Sequence, residues 1–310
     1  VDRSRLLTIL RFLIGAFLIA FILIRIDILH FFELVRRVRL PGLIPVPLIY
    51  LVFAFLSALR WKLLLDYQNF QIGLDTLFKY YLISLLFGQA LPTTVGGDII
   101  RVIYLKDRKA DAFAVVVMDR LIGFLGLFIF SLSMALIIYL IRREIYFLKF
   151  ILIGISIILG LIFLLLSHNV FQFISQQVAK IRFLALGERV RKIYYIINKF
   201  RKAKKEMLFC LLLSFSIQAT LAVGPYLVHR SLRVEPISLG YFLLCVPLIN
   251  IIAMIPISPG AIGVRETGFV FFFPKFGLSD AAAFTTSLLA KSIEIAVYLI
   301  FGGIFYFRRR

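Results

Sequence analysis

Two arginines in a very apolar chain stand at the same place in the same short pattern. Leu91-Pro92-Thr93-Thr94-Val95-Gly96-Gly97-Asp98-Ile99-Ile100-Arg101 and Ile255-Pro256-Ile257-Ser258-Pro259-Gly260-Ala261-Ile262-Gly263-Val264-Arg265 align without a gap. Each reads aliphatic residue, Pro, any residue, Thr or Ser, any residue, Gly, four residues, Arg. A guanidinium matches a phosphate through two parallel N–H bonds, and a helix start offers free amides to an anion. Arg101 and Arg265 are therefore candidates for contact with a phosphate-bearing substrate, together with Thr94, Gly96, Gly97, Ser258 and Gly260 before them. A brace between each arginine and a carboxylate on a neighbouring helix is the competing reading. Asp98 stands where it could cap the first helix start itself.

The elements that must position these residues are interrupted membrane helices. Hydrophobic residues make up 62% of the 310 positions and charged residues 17%, against about 45–50% and 25% in soluble domains. Uninterrupted apolar blocks long enough to cross a bilayer as helix are expected at Leu6–Ile26, Leu43–Leu65, Ala112–Ile141, Ile145–Leu166, Met207–Val228 and Ala281–Phe307. The first is too long for a signal-peptide core and lacks a cleavage site, so it is expected to remain as an anchor. Strand alternation is absent, which disfavours a β-barrel.

Two further apolar stretches, 77–105 and 240–273, contain the repeated motif, and Pro92, Pro256 and Pro259 interrupt them. A proline removes a backbone donor, while glycine and hydroxyl residues permit a turn. Each stretch is expected to be a broken, re-entrant pair of half-helices. An ordinary proline kink between spans is the alternative. Three full spans separate the copies, an odd number, which makes the second an inverted repeat of the first. The expected architecture is thus one all-α membrane domain over 1–310, with about six spans, two re-entrant hairpins, repeat cores near 43–141 and 207–307, and a loop at 167–206.

Ionisable residues at membrane depth carry functional hypotheses by default. Besides the two arginines they are Asp98, Asp119, Arg120, Glu266, Lys291 and Glu294. Asp119 and Arg120 are adjacent and cannot share a helix face, whereas Lys291 and Glu294 are three apart and can. The latter read either as a self-paired couple or as part of a proton relay. No catalytic signature is present: no paired-histidine metal motif, phosphate-binding glycine loop or nucleophile elbow. No cofactor or metal is implied. Cys210 and Cys245 lie in apolar stretches and read as small apolar side chains. His30, His168 and His229 sit at span ends without a second ligand at metal spacing.

The formal charge of +20 does not point to nucleic acid, because the basic residues cluster between spans and at the chain ends. There they mark cytoplasmic loops. The 167–206 loop is the strongest such signal, with Lys180, Arg182, Arg189, Arg191, Lys192, Lys199, Arg201, Lys202, Lys204 and Lys205 against Glu188 and Glu206. Its apolar residues recur at helical spacing, so it reads either as an amphipathic segment on anionic lipid or as a topology signal alone. Both termini are expected to be cytoplasmic, in the inner or plasma membrane. Arg36, Arg37 and Arg39 then fall on the opposite side, in conflict with the same rule.

The two motif copies, with Met118-Asp119-Arg120-Leu121-Ile122-Gly123 and the continuation Arg265-Glu266, resemble the membrane region of lysylphosphatidylglycerol synthases, also described as flippase-like or UPF0104 membrane proteins. The likeness covers nearly the whole chain. It implies an inverted-repeat domain that moves or handles a lipid between leaflets. It does not imply lysyltransferase activity, because the soluble synthase domain of the fused members is missing from this sequence. The expected function is translocation of an anionic or aminoacylated phospholipid or a polyprenyl-phosphate lipid. A membrane enzyme or accessory of lipid-linked sugar or phospholipid synthesis is the alternative, and a scaffold for such enzymes a third.

Overall fold

The structure, a computed structural model, describes residues 28–90, 96–105, 108–143, 203–254 and 258–308, with scattered positions in 13–24 and 152–160. Every regular element among the described residues is helical. In chain order they are α1 (Ile28–Arg36), α2 (Leu40–Tyr67), α3 (Leu74–Ala90), α4 (Gly96–Tyr104) and α5 (Lys109–Arg142). They continue with α6 (Lys204–Ser231), α7 (Leu239–Ala253), α8 (Val264–Phe272) and α9 (Asp280–Phe307).

Four of these, α2, α5, α6 and α9, are long and apolar enough to cross a membrane. They fall on the stretches expected at Leu43–Leu65, Ala112–Ile141, Met207–Val228 and Ala281–Phe307. The protein buries only 28% of the most apolar window of α2 and 33% of each of the other three. The outward remainder includes Leu140, Ile141, Leu208, Phe209 and Leu212, each more than half exposed. A helix apolar all round with so little of it covered needs lipid, not water, as its solvent. The expected spans Leu6–Ile26 and Ile145–Leu166 lie for the most part outside the described residues, as does the 167–206 loop up to Lys202.

Chain ends of the helices follow local rules. Three prolines stand in opening turns, Pro41 at the start of α2 and Pro45 and Pro47 where the helix restarts after a turn at Ile44, positions that require no intrahelical N–H. Ser238 accepts from the Gly240 amide at the start of α7, and Ser279 from the Ala282 amide at the start of α9. Arg143 closes α5 in the left-handed region at φ 58°. Near its end α9 widens into a π turn over Tyr298–Gly302.

Packing divides the chain into two compact units. One comprises Val1–Phe55, Lys79–Ile100 and Ile217–Arg310, the other Leu56–Phe78 and Arg101–Ser216. Each broken stretch contains a pair of helices, α3 and α4 in one and α7 and α8 in the other. At 9 residues each, α4 and α8 are about 14 Å long at 1.5 Å per residue, too short to cross a hydrocarbon core of about 30 Å. The start of α4 is pressed onto α3: a Cβ on Gly97 would collide with the Ser84 carbonyl oxygen and lie 3.5 Å from the Gly88 Cα. Gly302 does the same for the π turn, where a Cβ would stand 2.7 Å from the Leu82 carbonyl oxygen.

These contacts predict a graded effect of one methyl group. Gly97→Ala and Gly302→Ala should each cost about 1–3 kcal/mol, the usual range for overpacking, and lower the melting temperature of the detergent-purified protein. Gly303→Ala, where a Cβ meets nothing within 4 Å, should leave it unchanged or slightly higher. Equal melting temperatures for all three variants would rule out the close backbone approach as a structural requirement.

Candidate functional site

Each unit holds its own buried cluster of charge. In the unit containing Leu56–Phe78 and Arg101–Ser216, the centre is Asp119, which is 1% exposed. Its Oδ1 accepts from Arg60 Nε at 2.8 Å and its Oδ2 from Arg101 Nη1 at 2.9 Å. Arg60 Nη1 also donates to Ser214 Oγ at 2.9 Å, and that hydroxyl donates to the Cys210 carbonyl at 2.8 Å. The Arg101 guanidinium lies 5.3 Å from the Trp61 ring centroid, an attraction that strengthens once both groups are out of water.

The Met118–Gly123 segment acquires a physical reason here. Asp119 supplies one carboxylate to two guanidiniums, and Gly123, one turn further along α5, leaves room for that of Arg60. A Cβ at Gly123 would lie 3.2 and 3.3 Å from the Arg60 Nη atoms. Arg120 is half-buried and, one position on, points away from Asp119 around the helix.

In the other unit the centre is Glu294 on α9. Its Oε2 accepts from Arg265 Nη1 at 2.9 Å, and its Oε1 from Lys291 Nζ at 3.3 Å and Gln89 Nε2 at 3.4 Å. Tyr50 packs beside it, donating its hydroxyl to the Ala290 carbonyl at 3.0 Å, with its ring edge-on to Tyr298. Two buried atoms of this cluster, Arg265 Nε and the Tyr298 hydroxyl, have no hydrogen-bond partner among the described residues. Buried polar groups are nearly always satisfied, and no described residue satisfies these two.

The second helix break is built locally. Gly260 and Ala261 have φ 58° and Gly263 has φ 86°, a left-handed run that reverses the chain before α8. Ser258 Oγ donates to the Ile262 carbonyl at 2.6 Å, closing the turn. Glu266, third residue of α8, reaches back so that its Oε2 accepts the Gly263 amide at 2.6 Å, as in a capping box. Its other oxygen accepts from Ser287 Oγ at 3.4 Å. Asp98 holds the same third position in α4 and is half-buried.

The two motif copies are consequently not equivalent as helices. Arg101 is the sixth residue of α4, whereas Arg265 is the second of α8. Helix starts bring the acidic residues Asp98 and Glu266 into register, not the arginines. The glycines and hydroxyls named from sequence divide by role: Gly96 opens α4, Gly97 packs against α3, and Ser258 and Gly260 form the turn before α8. Thr94, Pro92 and Pro256 lie outside the described residues, and Pro259 begins the short 3-10 turn there.

Several contributors were not anticipated from the sequence, among them Arg60, Tyr50, Gln89, Trp61, Ser214 and Tyr298. A signal existed for Arg60, an ionisable residue inside the apolar stretch Leu43–Leu65. Tyr50 and Gln89 carry no such signal, since isolated polar side chains in spans are common. Cys210 and Cys245 are buried free thiols. His229 is buried and its Nε2 accepts the Ile237 amide at 3.2 Å, fastening the turn after α6.

Removing the shared carboxylate should therefore be far more damaging than removing a surface one. Asp119→Asn leaves two buried guanidiniums short of their counter-charge and should cost about 3–5 kcal/mol. Asp66→Asn breaks an i,i+4 pair with Lys62 whose side chains are 44% and 28% exposed, and should change stability by less than about 0.5 kcal/mol. Thermal unfolding followed by tryptophan fluorescence reads both, because Trp61 lies in the cluster.

Comparison with known proteins gives the family. The family model described as the lysylphosphatidylglycerol synthase TM region matches residues 8–302. A UPF0104 membrane protein of Pyrococcus horikoshii is 24% identical, over 96% of this chain and 96% of its own length. With span-length apolar helices and a match over nearly its full length, this multi-pass membrane chain belongs to the lysylphosphatidylglycerol synthase TM-region family.

Proposed function

We propose that the protein moves a phosphate-headed lipid between leaflets, its headgroup exchanging onto the buried arginines while its tails stay in the bilayer. The observation that carries this reading is the Arg265 cluster. A guanidinium and an ammonium share one carboxylate, and the remaining Arg265 Nε and the Tyr298 hydroxyl have no partner among the described residues. A brace alone would fill those positions, since each unsatisfied buried donor costs on the order of 1–3 kcal/mol. A phosphate or carboxylate headgroup oxygen would fill them. Arg101, beside Asp119 and Trp61, is the corresponding group after the first break.

Ion pairs of this kind suit transfer. Glu294 and Asp119 hold the guanidiniums in place and neutralised in the absence of lipid, and an incoming anion competes with the carboxylate for the same N–H groups. In this reading six spans and two re-entrant hairpins related by inversion form one domain of the cell membrane. Both termini and the 167–206 loop face the cytoplasm, that loop resting on anionic lipid. Substrates of the right chemistry are anionic or aminoacylated phospholipids and polyprenyl phosphates.

Reconstitution tests the proposal. Proteoliposomes should expose a labelled anionic lipid to an external quencher faster than protein-free vesicles, with the lipid's mass unchanged. A changed mass would favour the membrane-enzyme alternative, and equal rates across a panel of anionic lipids would overturn translocation. Arg265→Lys and Arg101→Lys keep the charge but lose the planar fork. Each should reduce the rate about tenfold or more, roughly the worth of one lost charge-assisted bond, while a melting curve shows the protein still folded. Wild-type rates in both variants would return the arginines to a purely structural role.

A further inference from the structure

Five further arginines, none of them a member of either cluster, line one groove. Arg36, Arg37 and Arg39 come from the end of α1 and the turn into α2, and Arg230 and Arg233 from the end of α6 and the turn beyond it. The backbone fixes this meeting: the Arg39 amide donates to the Ser231 carbonyl at 2.9 Å. Gly42 lets α2 lie against the end of α6, since a Cβ there would sit 2.5 Å from Ser231 Oγ. The groove is open and encloses about 1450 Å³.

Its charge is largely uncompensated among the described residues. Arg37 pairs with Glu33 at 3.6 Å, both side chains more than half exposed. Arg36, Arg39, Arg230 and Arg233 form no ion pair among the described residues. Helix dipoles favour a cation in a last turn, which accounts for Arg36 and Arg230. They do not account for Arg39 and Arg233, which lie beyond the helix ends. Five like charges in one concavity repel unless an anion sits among them.

The groove also has an apolar extension. It lies where span α2 begins and span α6 ends, and Leu40, one of its lining residues, starts a stripe with Ile44 and Leu48 along α2. These three are 74%, 75% and 61% exposed and recur every fourth residue, on one helix face. A polyanion without a tail would use the arginines and leave the stripe bare. We infer that this groove is a binding site for an anionic phospholipid, phosphate among the arginines and chain along Leu40, Ile44 and Leu48. The site is separate from the buried arginines and holds whether or not the protein transports lipid.

A photoactivatable phosphatidylglycerol carrying its reactive group in the acyl chain tests this on the full chain in phosphatidylcholine bilayers, with no transport measured. Crosslinks should map to Leu40, Ile44 or Leu48. Unlabelled phosphatidylglycerol should suppress them, whereas phosphatidylcholine at the same mole fraction and free inorganic phosphate should not. The combined Arg39→Gln, Arg230→Gln and Arg233→Gln variant should lose about a hundredfold in apparent affinity, at roughly fivefold per basic residue near a headgroup. The corresponding lysine triple should retain most of it. Equal labelling by a phosphatidylcholine probe, or displacement by free phosphate, would overturn the assignment. Those two readings use the wild-type protein and so stand even if a variant fails to fold.

Discussion

A guanidinium moved from water into a bilayer must bring its counter-charge with it, and this requirement organises the protein. Asp119 meets it for Arg60 and Arg101, and Glu294 meets it for Arg265 and Lys291. Each carboxylate ties separate helices together, α2 with α4 and α5 in one case, α8 with α9 in the other. Apolar packing alone would give these helices little reason to choose one another, because lipid competes equally well for their surfaces. The ion pairs supply the specificity that the apolar faces lack, at the cost of desolvating several charges.

The same requirement governs the broken helices. A chain that stops being helical at membrane depth exposes amides that only protein or a wet cavity can satisfy. The second break answers with its own side chains: Ser258 on the Ile262 carbonyl, Glu266 on the Gly263 amide. Around the first break, Gly97 brings α4 into backbone contact with α3. Among the buried side-chain atoms that no described residue satisfies, the Arg265 Nε and the Tyr298 hydroxyl lie in the Glu294 cluster. The π turn that carries Tyr298 is itself a local departure from α geometry of a kind that often accompanies functional sites.

How much of this could be read from the sequence follows from the range of each signal. Spans are legible because hydropathy is summed over about 20 residues, and the breaks because proline and glycine act on their own backbone. Lys291 and Glu294 are visible as neighbours because a helix sets their spacing. Arg265 and Glu294, 29 positions apart, are not, since their meeting depends on how α8 packs on α9. Arg60 was hidden by its setting: beside Trp61 and Lys62 near the end of an apolar stretch, it has the look of a residue reaching for the interface. The repeat was legible as letters but not as structure, because helix α4 restarts at the motif glycine and α8 only four positions later. The conflict raised by Arg36, Arg37 and Arg39 was one of topology in sequence. In the fold they join Arg230 and Arg233 at one groove, a convergence that no local pattern encodes.

The central claim is that a buried guanidinium, already paired with a carboxylate, takes a lipid phosphate. Dipolar coupling between lipid phosphorus and arginine side-chain nitrogen, measured by solid-state NMR on labelled protein in anionic bilayers, tests it most directly. The difference between wild type and Arg265→Lys isolates the one side chain from the exposed arginines. A phosphorus contact present in wild type and missing from that difference partner is the predicted result. Identical spectra, with every phosphorus contact arising from the surface, would contradict it and leave Arg265 as a brace for α8 and α9.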